Sequence, residues 1–207
     1  MSKVGSFLKT ALVRLLVLAV LGAIGYGGYL FFGPTARAND EPLEHDSDLE
    51  SLCWYQRRYY PEAATYTGPA PHPIKIFEQS DSQTSDPGWF SSQVRQPLPQ
   101  HWWSHHRAPT KVQLVACVEI DDEGPRIGEC EFRGETIPMH QGIYTATLYE
   151  AKTGKKVAKV EGIAGRKDFD DGMCPAMHVW RQGEDPRLLS KPDAAAYRRA
   201  FGRYVDG

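Results

Sequence analysis

The sequence predicts an α+β fold: a mainly antiparallel β-sheet domain flanked by an N-terminal and a C-terminal helix, preceded by one transmembrane helix. Three observations predict it. An uncharged apolar run, Leu15 to Phe32, stands near the N-terminus. Strand-like alternation dominates residues 111–162. Helical spacing with capping signals brackets that region, at 47–60 and at 190–205.

The apolar run comes first. Eighteen helical residues at about 1.5 Å each reach about 27 Å, close to the ~30 Å hydrocarbon core of a bilayer. Lys3, Lys9 and Arg14 precede it and place that side in the cytoplasm. Ala36-Arg37-Ala38 also fits a signal-peptide cleavage site, with Pro34 breaking the helix just before it. The length of the run favours an uncleaved anchor, and either reading exports the rest of the chain. The expected organisation is a cytoplasmic terminus (1–14), a signal-anchor (15–32), a stalk (33–46) and a disulfide-bonded extracytoplasmic domain (47–207). Cleavage after Ala38 would make that domain a secreted one.

The exported part opens on a helix. Ser47-Asp48-Leu49-Glu50 has the form of a capping box. Leu49, Leu52, Cys53, Tyr59 and Tyr60 continue at helical spacing until Pro61. Gly68 to Thr110 then carries seven prolines, which excludes a continuous helix or central strand. Ile74 to Phe77 is the one short strand expected there. Trp89, Trp102 and Trp103 make this stretch too aromatic for a free linker.

The sheet comes next. Lys111 to Ile120 alternates, placing Val112, Leu114, Ala116, Val118 and Ile120 on one face. Asp121-Asp122-Glu123-Gly124-Pro125 reads as a turn, and Arg126 to Phe132 as the returning strand. Gly142 to Ala151 and Lys156 to Gly162 form a hairpin around Lys152-Thr153-Gly154, with Gly154 left-handed. That register sets Leu148 against Ala158 and Ala146 against Val160. Ser190, Pro192 and Asp193 start the last helix, whose buried stripe is Ala194, Tyr197, Phe201, Tyr204 and Val205.

Four cysteines, all beyond the export segment, predict two disulfides in an oxidising compartment. A turn at Glu123-Gly124 would set Cys117 opposite Cys130, leaving Cys53 to pair with Cys174. The alternative is metal thiolates or free thiols.

The functional signals are sparse. The formal charge of -2 divides into a cationic segment before residue 39 and an acidic remainder, since residues 39–207 hold all 26 Asp and Glu. That acidity argues against a nucleic-acid partner. No nucleophile elbow, phosphate loop or cofactor motif is evident. Trp89, Trp102 and Trp103 are the expected contacts for a partner, since aromatic side chains dominate binding hot spots. Cys174, Met177 and His178, or His101, His105 and His106, offer soft-sulfur and imidazole ligands for copper or zinc.

Leu98-Pro99 to Trp102, Val112 to Val118, Cys130, Leu148 to Lys155 and Cys174-Pro175 together resemble an uncharacterised group of bacterial exported proteins. Many of these have one N-terminal membrane segment. The resemblance spans about residues 98–175. It implies export and disulfide bonding, and it carries no catalytic residue. The expected function is therefore a membrane-anchored, non-enzymatic module binding an envelope protein or a surface polymer. The alternative is extracytoplasmic copper or zinc binding and delivery.

Overall fold

The computed structural model describes residues 36–80, 88–91, 98–103, 108–132, 134–176 and 186–207. The apolar run 15–32 lies outside the described residues, among which no helix is long and apolar enough to cross a membrane. The strands are β1 (Arg37–Ala38), β2 (Arg58–Tyr59), β3 (Ile74–Gln79), β4 (Trp89–Ser91), β5 (Leu114–Phe132), β6 (Glu135–Glu150), β7 (Lys156–Ala164) and β8 (Leu188–Ser190). Among the described residues the helices are 3-10 helices at Asp46–Leu52, Pro109–Lys111 and Asp171–Met173, α1 (Gln100–Trp103) and α2 (Ala194–Val205).

The main sheet runs β4-β3-β5-β6-β7, with β8 beside the far half of β6. It is mostly antiparallel; β3 with β5 and β6 with β8 are the parallel pairs. The first half of β5 organises everything. Leu114, Val115, Ala116, Cys117 and Val118 are all buried, as a strand covered on both faces requires.

One face carries Leu114, Ala116, Val118, Ala146 and Leu148, packed against Trp102 and the Tyr197, Phe201 and Val205 stripe of α2. The helix begins one turn after β8. Asp193 is its cap, accepting a hydrogen bond from the Ala196 N–H at 2.7 Å. Ser190, expected among the residues that start the helix, belongs instead to β8, where its hydroxyl donates to the Arg166 carbonyl.

The opposite face carries Phe77, Val115, Cys117 and Tyr149 under Leu43, Leu49, Leu52 and Tyr60. Val112 packs here too, because it precedes the strand and does not share its alternation. Two expectations are corrected by this layer. The predicted helix over 47–60 shrinks to a 3-10 helix, because the Asp48 carboxylate accepts from the His45 and Glu44 N–H groups and starts the turn early. The predicted stalk is folded from residue 36 onward. Arg37 and Ala38 pair with Arg58 and Tyr59, and Leu43 is buried.

The largest correction concerns β5. Residues 121–125 do not turn. β5 continues to Phe132 and meets β6 through a turn at Gly134, whose φ is +87°. Three register shifts, one of them spanning Gly124-Pro125, absorb the turn-forming residues as bulges. Proline tolerates a bulge because it has no N–H to place in the ladder. Cys117 therefore faces Thr147, and Cys130 faces Ile137. The bonds are Cys53–Cys117 and Cys130–Cys174, with Cα separations of 5.3 and 5.6 Å. The predicted pairing of Cys117 with Cys130 and Cys53 with Cys174 is overturned. The hairpin around residues 152–154 has the predicted register, Leu148 on Ala158 and Ala146 on Val160.

Candidate functional site

The aromatic residues sort unexpectedly. Trp89 is 8% exposed and Trp102 fully buried, so neither presents its ring to a partner. Trp102 fills the core under α2 while its indole N–H donates to Asp206 at 3.0 Å. The side chain of Trp103 lies outside the described residues. Trp102 was expected as a partner contact, and long-range packing places it in the core. Among the described residues, the exposed large rings are Trp54 (38%), Tyr55 (79%) and Phe90 (58%). The Cys53-Trp54-Tyr55 run is the signal that could have found two of them, since a disulfide fixes the segment that carries them.

Trp54 lines a groove of about 570 Å³ beside the 3-10 helix. Its other polar walls include Glu41, Glu44, Asp48 and Glu50, with Tyr60 below. These groups do not act alike. Asp48 is spent on the backbone N–H groups of Glu44 and His45, at 3.1 and 2.8 Å, and so shapes the groove. The Tyr60 phenol is pushed up by burial, with Asn39 and Ser51 hydrogen bonds opposing and the charges of Asp48 and Glu41 adding to the rise. Glu41 and Glu44 are exposed. A tryptophan face beside carboxylates suits an ammonium or guanidinium group, through cation–π attraction and charge-assisted hydrogen bonds. No nucleophile is paired with a base among the groove residues.

Of the candidate metal ligands, Cys174 and His101 lie among the described residues. Cys174 is bonded to Cys130, so its sulfur is no thiolate. His101 Nε2 lies 2.7 Å from the Asp206 carboxylate. Met177, His178, His105 and His106 lie outside the described residues. Among the described residues, no three His, Cys, Asp or Glu side chains are grouped to hold a metal ion.

A second polar cluster sits away from the groove. Glu123 accepts from Arg187 at 2.9 Å and lies 2.8 Å from His140 Nδ1, joining β5, β6 and the approach to β8. Its carboxylate oxygens are engaged by these two partners, so the cluster reads as a structural clamp. The chain matches no protein-family model, no curated protein and no solved structure.

Proposed function

We propose that the chain is a membrane-anchored, extracytoplasmic, non-enzymatic module. It is held by residues 15–32 and binds a cationic segment of an envelope protein or a surface polymer. The observation that carries this reading is the groove that sets Trp54 among carboxylates. Two disulfides support an oxidising compartment. The fold supports an uncleaved anchor: the Arg37 N–H donates to the Arg57 carbonyl at 3.0 Å and the Asn39 N–H to the Tyr59 carbonyl at 2.8 Å. Cleavage after Ala38 would strip β1 from the domain.

The test is calorimetric titration of the full chain, in nanodiscs of neutral lipid, with a lysine decamer. The expected binding weakens with salt. It falls about fivefold in Trp54→Ala, from loss of a cation–π contact of about 1 kcal/mol. It falls further when Glu41→Gln and Glu44→Gln are added. Equal affinity of the wild type and the triple variant would refute the groove.

A further inference from the structure

The sheet ends in an open edge. Among the described residues β7 pairs with β6 alone, so the backbone N–H and C=O groups along its other side meet no strand. Lys156, Lys159, Glu161 and Gly162 are exposed there, while Val157, Ala158 and Val160 are half-buried against the α2 core. None of these residues lines the groove beside Trp54. A free edge is a template for pairing with another chain, and proteins restrict it with bulges and charges. Both devices are present. Register shifts against β6 flank Ala158 to Val160, and Gly162 has φ +70°. Lys159 and Glu161 project from one face, with Lys159 Nζ 2.6 Å from Glu161 Oε1.

These devices turn away most strands, but they admit a copy of the same strand. A second chain added antiparallel about a two-fold axis normal to the sheet must match like faces. Three centres then lie on this stretch. An axis at Lys159 sets lysine against lysine, and one at Glu161 sets glutamate against glutamate. An axis at Val160 sets Lys159 opposite Glu161 of the copy, and Glu161 opposite its Lys159. We propose that β7 pairs with β7 of a second copy of this chain in that register, centred on Val160. Charge complementarity chooses the occupant, because a foreign strand must supply a cation and a carboxylate at the same spacing. Neighbouring charges leave this alternation intact. Glu119 and Asp121 on β5 and Lys156 on β7 also act on the pair. Asp121 accepts from the Thr145 hydroxyl at 3.2 Å. β5 lies two strands inward, about 10 Å from the edge at ~4.8 Å per strand. Lys156 stands beyond the register shift. The exposed arginines of α2, Arg198, Arg199 and Arg203, belong to the other side of the sheet. A ladder this short buries little surface, so the dimer is a weak, reversible one.

The test is sedimentation equilibrium of the full chain in density-matched detergent. The wild type is expected to show a monomer–dimer equilibrium. Lys159→Glu alone should weaken it about 25-fold, at about fivefold for each of the two cross-strand pairs turned from attraction to repulsion. Glu161→Lys alone should do the same. An equimolar mixture of the two single variants should dimerise again, because each then meets its complement, and so should the double variant carrying both changes. Recovery on mixing also shows that both single variants are folded. A monomeric wild type would overturn the proposal. Single variants that dimerise as the wild type does would place any contact elsewhere and overturn it too. Failure of the mixture and the double variant to recover would overturn the register. A monomeric chain whose residue 158–161 amides gain exchange protection from an alternating valine–threonine peptide would give the edge to a foreign strand instead.

Discussion

The two halves of the sheet are built on different principles. In the near half, β3 and the first part of β5 are buried on both faces, by α2 and by the 3-10 layer, with β6 beside them and the edge strand β7 largely open to solvent. The far half, where β5 and β6 run on with β8, has a small core of Cys130, Ile137, Met139 and Leu188. Most of β5 beyond Ile120 is exposed there. Ion pairs take up part of the task, Glu123 with Arg187 and Arg166 with Asp170 at 2.6 Å. Partly exposed pairs of this kind contribute little each. The near half is held by apolar burial with a disulfide added, and the far half depends on its disulfide.

Removing the bonds in turn is the strongest way to break that comparison. The loops closed by Cys53–Cys117 and Cys130–Cys174 span 64 and 44 residues. In the chain-entropy account each bond contributes about 4 kcal/mol. Cys130→Ser with Cys174→Ser should abolish hydrogen-exchange protection in residues 121–141 while amides of 114–118 stay protected. Cys53→Ser with Cys117→Ser should instead lower the global denaturation midpoint with one cooperative transition. If both variants lose protection uniformly, the halves form one cooperative unit.

Gly128→Ala gives a smaller, local effect. A Cβ there would lie 2.3 Å from the Phe169 ring, so the ring must leave its seat. The expected cost is about 1–3 kcal/mol, read as exchange confined to the far half. A global loss of stability would show that Phe169 communicates with the near half.

The smallest effect separates the halves by pH. Tyr60 and Tyr66, both in the near half, have phenols raised above their ordinary value, chiefly by burial. Such groups keep the folded state fully favoured below about pH 10. Their contribution is lost as pH rises from there through the folded values, because the unfolded chain ionises first. Alkaline unfolding monitored by tyrosinate absorbance should therefore begin in the near half. Tyr60→Phe with Tyr66→Phe should flatten the pH dependence above about 10. An unchanged slope would place the alkaline weakness elsewhere.

The same comparison explains what was legible in the sequence. The hairpin at 142–162 and α2 are local: alternation, a glycine at the tip and an apolar stripe at helical spacing suffice to place them, although the cap is Asp193 and not Ser190. Strand β3 was visible for the same reason. Asp121 to Pro125 misled because turn residues were read without their partner strand. Opposite β6 they become bulges, and the true turn falls at Gly134. That displacement carried the disulfide assignment with it. The groove depends on contacts between residues 41–54 and the sheet face, which no periodicity announces. Trp102 shows the converse, since its aromatic character suggested a partner contact and tertiary packing buried it.

The order of the cysteines has a consequence for biogenesis. The bonded pairs are consecutive along the chain, 53 with 117 and then 130 with 174, so the two covalent loops neither overlap nor nest. A polypeptide delivered N-terminus first can close the first loop before the third cysteine arrives. At that moment only one partner is on offer. The second pair then meets with the first already consumed. Pairing in order of emergence would give the native connectivity, one of the three conceivable ones.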